Sequence, residues 1–157
     1  MREPKAGAYE PSAAVTLNQA NQIADAALAQ ARLDGLSPTT VAVLDPAGRL
    51  VVLKREDGSS LLRPEIAQAK AFGALAMGMG SRALAERAAS HPAFIGSVTA
   101  LAGGALVPVP GGVLIRGPSD RLLGAVGVSG ALPDEDERCA EAGIAAAGLA
   151  AQVGGGH

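Results

Sequence analysis

Arg121-Leu122-Leu123-Gly124-Ala125-Val126-Gly127-Val128-Ser129-Gly130 is the stretch whose reading decides the fold. From Arg121 to Val128 it is apolar along most of its length. A strand of that character suits the centre of a sheet. Ser129-Gly130 closes it, and Pro133 then opens an acidic segment, Asp134-Glu135-Asp136-Glu137. Proline at a first helical position and carboxylates in a first turn both belong at a helix N-terminus. The segment therefore predicts a central strand running into a helix that continues to about Ala151.

Working outward, Val113–Arg116 and Ala105–Val109 read as two more strands. They are separated by the turns Pro110-Gly111-Gly112 and Gly117-Pro118-Ser119-Asp120. Further upstream, Thr39–Leu44 and Leu50–Leu53 are apolar and rich in β-branched residues, and their continuous runs suggest strands covered on both faces. Between them Asp45-Pro46-Ala47-Gly48 has the order of a tight turn: Asp first, Pro second, Gly fourth. Helices fill the remainder. Thr16-Leu17-Asn18-Gln19 fits a capping box. Behind it Leu17, Ala20, Ile23, Ala24, Ala27, Leu28 and Ala31 fall on one helical face, which ends at Gly35. A second helix starts at Arg63-Pro64-Glu65 and runs to Met77 or Met79, stopped by Gly78 and Gly80. Ser81 opens a short third helix through Ala89. His91-Pro92 breaks it, and Pro92 starts a fourth through Leu101. The sum is an α/β (α+β) domain: a five-stranded antiparallel sheet, joined largely by tight turns, with helices over both faces. A flexible arm over 1–15 precedes the domain at 16–152, and a glycine-rich flexible tail over 153–157 follows it.

Composition narrows the partners. The 157 residues carry a net charge of −2, two Phe, one Tyr and no Trp. Without a basic patch or stacking aromatics, the chain lacks the means to hold nucleic acid. No apolar run is long enough for a membrane span, and the N-terminus lacks the apolar core of a signal peptide. Cys139 is the single cysteine, so no intrachain disulfide calls for an oxidising compartment. These features read as a cytoplasmic protein.

Four segments, taken in order, resemble the GlcG/HbpS-like haem-binding family, which is related to the C-terminal domain of PduO-type proteins. They are Leu17-Asn18-Gln19-Ala20, Val51 to Gly58 with its acidic turn, Ile66-Ala67-Gln68-Ala69-Lys70-Ala71, and Gly124 to Gly130 followed by Asp134-Glu135 and Cys139-Ala140. The resemblance implies a profilin-like sandwich, a homo-oligomer and, in some members, bound haem. The chain departs from the family's common pattern at Gly117-Pro118-Ser119-Asp120, where a plain Asp-Gly or Asn-Gly turn is usual. It departs again at Glu56-Asp57-Gly58, where many members read Met-Asp-Gly. No axial iron ligand follows from the likeness.

The residues that can carry chemistry are few, and each has a plainer reading. At Gly127, Ser129 and Gly130, backbone N–H groups at the strand–helix junction can hold a polar ligand atom; alternatively the glycines only let a helix pack closely. Lys70 lies on a mostly apolar helix, which suits an inward ammonium facing a carboxylate; the alternative is a side chain reaching out to solvent. Arg63 is an anion clamp or a solvated surface group. His91, before Pro92, is the best nitrogen ligand on offer for haem iron, though a loop role is the ordinary one. Asp57 in its turn and Glu135 in the acidic first turn are the acids available to a Lys70-based catalytic pocket. Glu56, Asp57 and the 134–137 carboxylates lack metal-ligand spacing, so no metal site is expected. No nucleophile elbow, phosphate loop or dinucleotide fingerprint is present.

Two functions fit these residues. One is a small-molecule-binding protein whose ligand is haem or a carboxylated metabolite. The other is a small cofactor-independent enzyme, an isomerase, lyase or hydrolase, using Lys70 with Asp57 or Glu135. A Soret band on haem titration separates them. The expected pocket lies where Gly127–Gly130 meets the helix carrying Lys70.

Overall fold

The computed structural model describes residues 14–155. Of the arm expected over 1–15, residues 1–13 lie outside the described residues. Val15 is buried, and its N–H donates to the Leu123 carbonyl at 2.8 Å. Five helices and five strands follow among the described residues. They are α1 (Leu17–Leu33), β1 (Thr40–Leu44), β2 (Leu50–Arg55), α2 (Arg63–Met77), α3 (Ser81–Ser90), α4 (Pro92–Leu101), β3 (Gly112–Arg116), β4 (Leu122–Ser129), α5 (Pro133–Ala146) and β5 (Ala150–Gln152). The strands form one antiparallel sheet in the order β2-β1-β4-β3-β5, with β4 at its centre. The fold class is α+β.

Local signals set the ends of the elements. The Thr16 hydroxyl accepts the Gln19 N–H, and the Gln19 side chain accepts the Thr16 N–H, both at 3.0 Å, which closes the capping box on α1. In the β1–β2 turn the Asp45 carboxylate accepts the N–H groups of Ala47 and Arg49 at 2.9 and 3.0 Å. The fifth strand is not the expected Ala105–Val109. Pro108 removes a ladder donor from that segment, and Pro110 removes the next one after it. Leu106 instead packs with Leu84 and Ile95 in a small cluster outside the sheet. The free edge of β3 is taken by Ala150–Gln152, where a continuing α5 was expected. Gly148, at φ +73°, supplies the left-handed turn that ends the helix and sends the chain back to the sheet.

The sheet's two faces differ in side-chain size, and that difference places the helices. Val41, Val43, Val113, Ile115, Val126 and Val128 fill one face against Ile23, Ala24 and Ala27 of α1 and Cys139, Ala140 and Ile144 of α5. The opposite face presents Ala125, Gly127, Gly112 and Leu114, under Ala67, Ala71 and Ala74 of α2. At that distance the helix backbone itself touches the sheet. A Cβ on Gly127 would land on the Ala67 carbonyl oxygen. The expected tail at 153–157 is partly described: the Gly80 N–H donates to the Gly154 carbonyl at 2.9 Å.

Candidate functional site

Lys70 points inward, as its helical neighbours predict, but a carboxylate of the same chain meets it there. Its Nζ donates to the Val128 carbonyl at 2.9 Å and to Asp136 Oδ2 at 3.0 Å, with both side chains buried. The other Asp136 oxygen accepts the Ala131 N–H at 2.9 Å. Burial lowers the Lys70 pKa, opposed by the charge and hydrogen bond of Asp136, and the Arg63 guanidinium adds to the lowering. Burial raises the Asp136 pKa, opposed by Lys70 and by backbone N–H groups. Asp136 thus takes the place that a ligand carboxylate was expected to fill.

The junction residues serve the same inner arrangement. Gly127 lies beneath α2, and Gly130 is wedged against Pro38 and Thr39. The buried Ser129 hydroxyl accepts from Arg63 Nη1 at 3.1 Å. Arg63 Nε also donates to Ser60 Oγ at 3.2 Å. Arg63 is therefore held on two sides by hydroxyls, with no carboxylate partner among the described residues.

A second guanidinium shares this corner. Arg55 stands opposite Thr40 in the ladder, and Thr40 stands opposite Ser129. Opposed residues share a face, so Arg55 and Ser129 both lie on the α2 side, two strand spacings or about 10 Å apart. Arg55 Nη2 donates to the Ser59 carbonyl at 2.8 Å, and the Thr40 hydroxyl donates to Ser59 Oγ at 3.2 Å. Leu61, 86 % exposed, and Leu62, 61 % exposed, lead directly into Arg63. Leu53, opposite Ala42, adds apolar surface on the same face. The arrangement is a surface corner with two cations and an apolar border, resting on the buried hydroxyls of Thr40, Ser59 and Ser129. Anions with an apolar body fit such a surface.

Of the remaining candidates His91 and Glu135 lie apart from it, while Asp57 borders Arg55. His91 is exposed between α3 and α4, its Nδ1 2.9 Å from Ser90 Oγ, in a depression shared with Met79, Arg87 and Phe94. Asp57 is exposed in the turn after β2, in a depression beside Arg32 and Arg55. Glu135 Oε1 accepts the Leu132 N–H at 3.2 Å, a capping role on α5. Lys70, Asp57 and Glu135 therefore sit in three different surroundings. Among the described residues no cluster of three His, Cys, Asp or Glu is placed to hold a metal ion. None of the described helices is long and apolar enough to cross a membrane. The sequence reading passed over Arg55, Ser60 and Asp136. A signal for Asp136 was present: it shares a helical face with Cys139, Ala140 and Gly143, an apolar stripe on which a carboxylate requires a buried cation.

The sheet and its small-residue face under α2 define a small α+β domain. The model of the HbpS-like family, haem degrading protein HbpS-like, matches residues 15–145, and the chain belongs to that family. Among solved structures, the PduOC:haem complex is 26% identical with a TM-score of 0.78, covering 87% of this chain and 96% of that one. A double mutant of Streptomyces reticuli HbpS is 30% identical with a TM-score of 0.73, covering 92% of this chain and 94% of that one. Klebsiella pneumoniae ORFY shares the fold at 21% identity and a TM-score of 0.77, covering 94% of this chain and 98% of that one. A comparison with curated protein sequences gives no match.

Proposed function

We propose that this protein binds haem, or a similarly flat small molecule with carboxylates, at the corner formed by Arg55, Arg63, Ser60 and Ser129. Arg63 carries this reading: a half-buried guanidinium with hydroxyls on two sides and no acid. The ligand's carboxylates meet Arg63 and Arg55, and its apolar plate lies over Leu53, Leu61 and Leu62. Lys70, Gly127 and Gly130 hold the floor beneath. The haem complex among the structural neighbours supports a haem-binding or small-molecule-binding role. The residues fit haem's carboxylates and apolar face. They offer no nitrogen ligand to its iron, because His91 lies in another depression.

Haem titration is therefore expected to give a shallow Soret change that His91→Ala leaves intact. Arg63→Ala should weaken porphyrin binding by roughly tenfold or more while preserving the circular dichroism spectrum. That is the size expected when a hydrogen bond to a charged group is lost. Protoporphyrin dimethyl ester, which loses both carboxylates, should bind the parent at least as weakly as the diacid binds the variant. Equal binding of diacid and diester would sink the reading.

Self-association in the cytoplasm belongs to the same proposal. Only Ile95 of the apolar helix α4 is buried, while Phe94 and Leu101 are exposed. Apolar surface of that kind usually marks an interface. Light scattering at micromolar concentration is expected to report an oligomer; a monomer there counts against it.

A further inference from the structure

Along the flank of α2, beside the end of β1, the surface has the opposite chemistry. A cleft of about 390 Å³ crosses the helix between the β1–β2 turn and the loop after α4. Leu44 and Phe72 give it an apolar lining, and its rims are the glycine turns at Gly48 and Gly104, which carry no side chain to fill it. Phe72 is one of two phenylalanines in the chain. Its ring is only partly buried, and one edge rests against Gly48, where a Cβ would stand 3.1 Å from the ring carbons.

The polar groups of the cleft are acceptors in search of a donor. Glu65 is exposed on the outward face and has no hydrogen-bond or ion-pair partner among the described residues. Gln68, one turn further, donates its amide to the Pro64 carbonyl at 3.2 Å, which leaves Oε1 as an acceptor. No lysine, arginine or histidine lines the cleft. A carboxylate, an amide oxygen and an aromatic face all favour positive charge, the ring through its quadrupole. The same set repels a carboxylate. An anionic ligand therefore belongs at the arginine corner and a cationic one here.

We propose that this cleft binds a small organic cation, a primary amine or guanidine on an apolar body. The body packs on Phe72 and Leu44, while the charged head donates to Glu65 and Gln68 Oε1. The site is independent of the Arg63 corner, so either assignment can fail without the other.

The test uses the full chain and three probes of one shape: benzylamine, benzyl alcohol and benzoate, followed by amide chemical shifts and calorimetry. Benzylamine is expected to bind saturably and shift residues of the cleft. Benzyl alcohol should bind roughly threefold to fivefold more weakly and benzoate not at all, the range for a partly solvated ion pair. Glu65→Gln should bring benzylamine down to the level of the alcohol. Phe72→Leu keeps the packing volume and removes the ring, so it should weaken the amine more than the alcohol. Haem titration of Glu65→Gln should match the parent. Benzoate binding as well as benzylamine, an amine indifferent to Glu65→Gln, or no saturable binding at all would each overturn the proposal.

Discussion

Lys70→Met is expected to destabilise the fold by about 3–5 kcal/mol, the cost of leaving one member of a buried ion pair alone. Methionine keeps the length and most of the shape of the stem, so the change is nearly confined to the charge. The ammonium takes with it two hydrogen bonds, to Val128 and to Asp136. Asp136 is then an anion with almost no solvent contact and only backbone N–H partners. Removing both charges should restore most of the loss, because no buried charge is then left alone, although the Ala131 N–H loses its acceptor. Lys70→Met with Asp136→Leu should therefore unfold near the parent's urea midpoint, while the single variant unfolds well below it at an unchanged slope. The deficit of the single variant should also shrink in acid. Burial already holds the Asp136 pKa above its usual value of 3.8, and losing the cation raises it further. The native state then binds more protons than the unfolded state, so stability rises as pH falls through that range. A single variant as stable as the parent would mean that Lys70 and Asp136 are not paired in solution.

The central strand was readable because its residues leave little choice. A run from Leu122 to Val128 that is apolar along nearly its whole length suits a central strand, and β4 is the middle strand. The apolar run Leu50–Leu53 suggests a strand covered on both faces, but β2 lies at the edge of the sheet, with Leu50 and Leu53 exposed. Thr16 and Gln19, Asp45 and Gly48, and Pro64 marked their turns and caps by local chemistry alone. The fifth strand was missed for a reason of the same local kind. Ala150–Gln152 is three residues long and has little strand propensity of its own; it is a strand only because β3 has an open edge beside it. Ala105–Val109 has more strand-like residues, yet Pro108 within it, Pro110 just after it and the burial of Leu106 keep it off the sheet.

The site was legible in pieces. Of the two readings of Lys70, inward or reaching out to solvent, the structure has the inward one, which the small and apolar neighbours on its helical face favour. Its partner was hidden among four consecutive acids that the helix dipole explains equally well, and only the face shared with Cys139 and Ala140 singles out Asp136. Arg63 was in view, but its hydroxyl partner Ser129 lies 66 positions away, and nothing in the spacing joins them. Arg55 joins the corner through strand register. Register follows from pairing across the sheet and cannot be read from one segment. The resemblance to a haem-binding family indicated a kind of ligand without indicating which of these residues meets it.

Two glycine-to-alanine changes should have opposite signs. Gly127→Ala is expected to cost about 3 kcal/mol or more, at the upper end for overpacking, and to lower the soluble yield. The new methyl group meets the carbonyl of Ala67 and the N–H of Ala71, which are helix backbone and have no rotamer to change. Relief requires α2 to lift from the sheet as a unit. Lifting draws Lys70 away from Val128 and Asp136, and Arg63 away from Ser129, so the packing fault spreads into the ion pair and the arginine corner together. Gly96→Ala on α4 should stabilise by roughly 0.5–1 kcal/mol, because alanine has the better helix propensity and nothing lies within 4 Å of the added carbon. Urea unfolding of both variants measures the contrast. If Gly127→Ala unfolds with the parent, α2 does not rest on β4 as closely as its glycines and alanines imply, and the floor of the arginine corner is looser than its hydrogen bonds require.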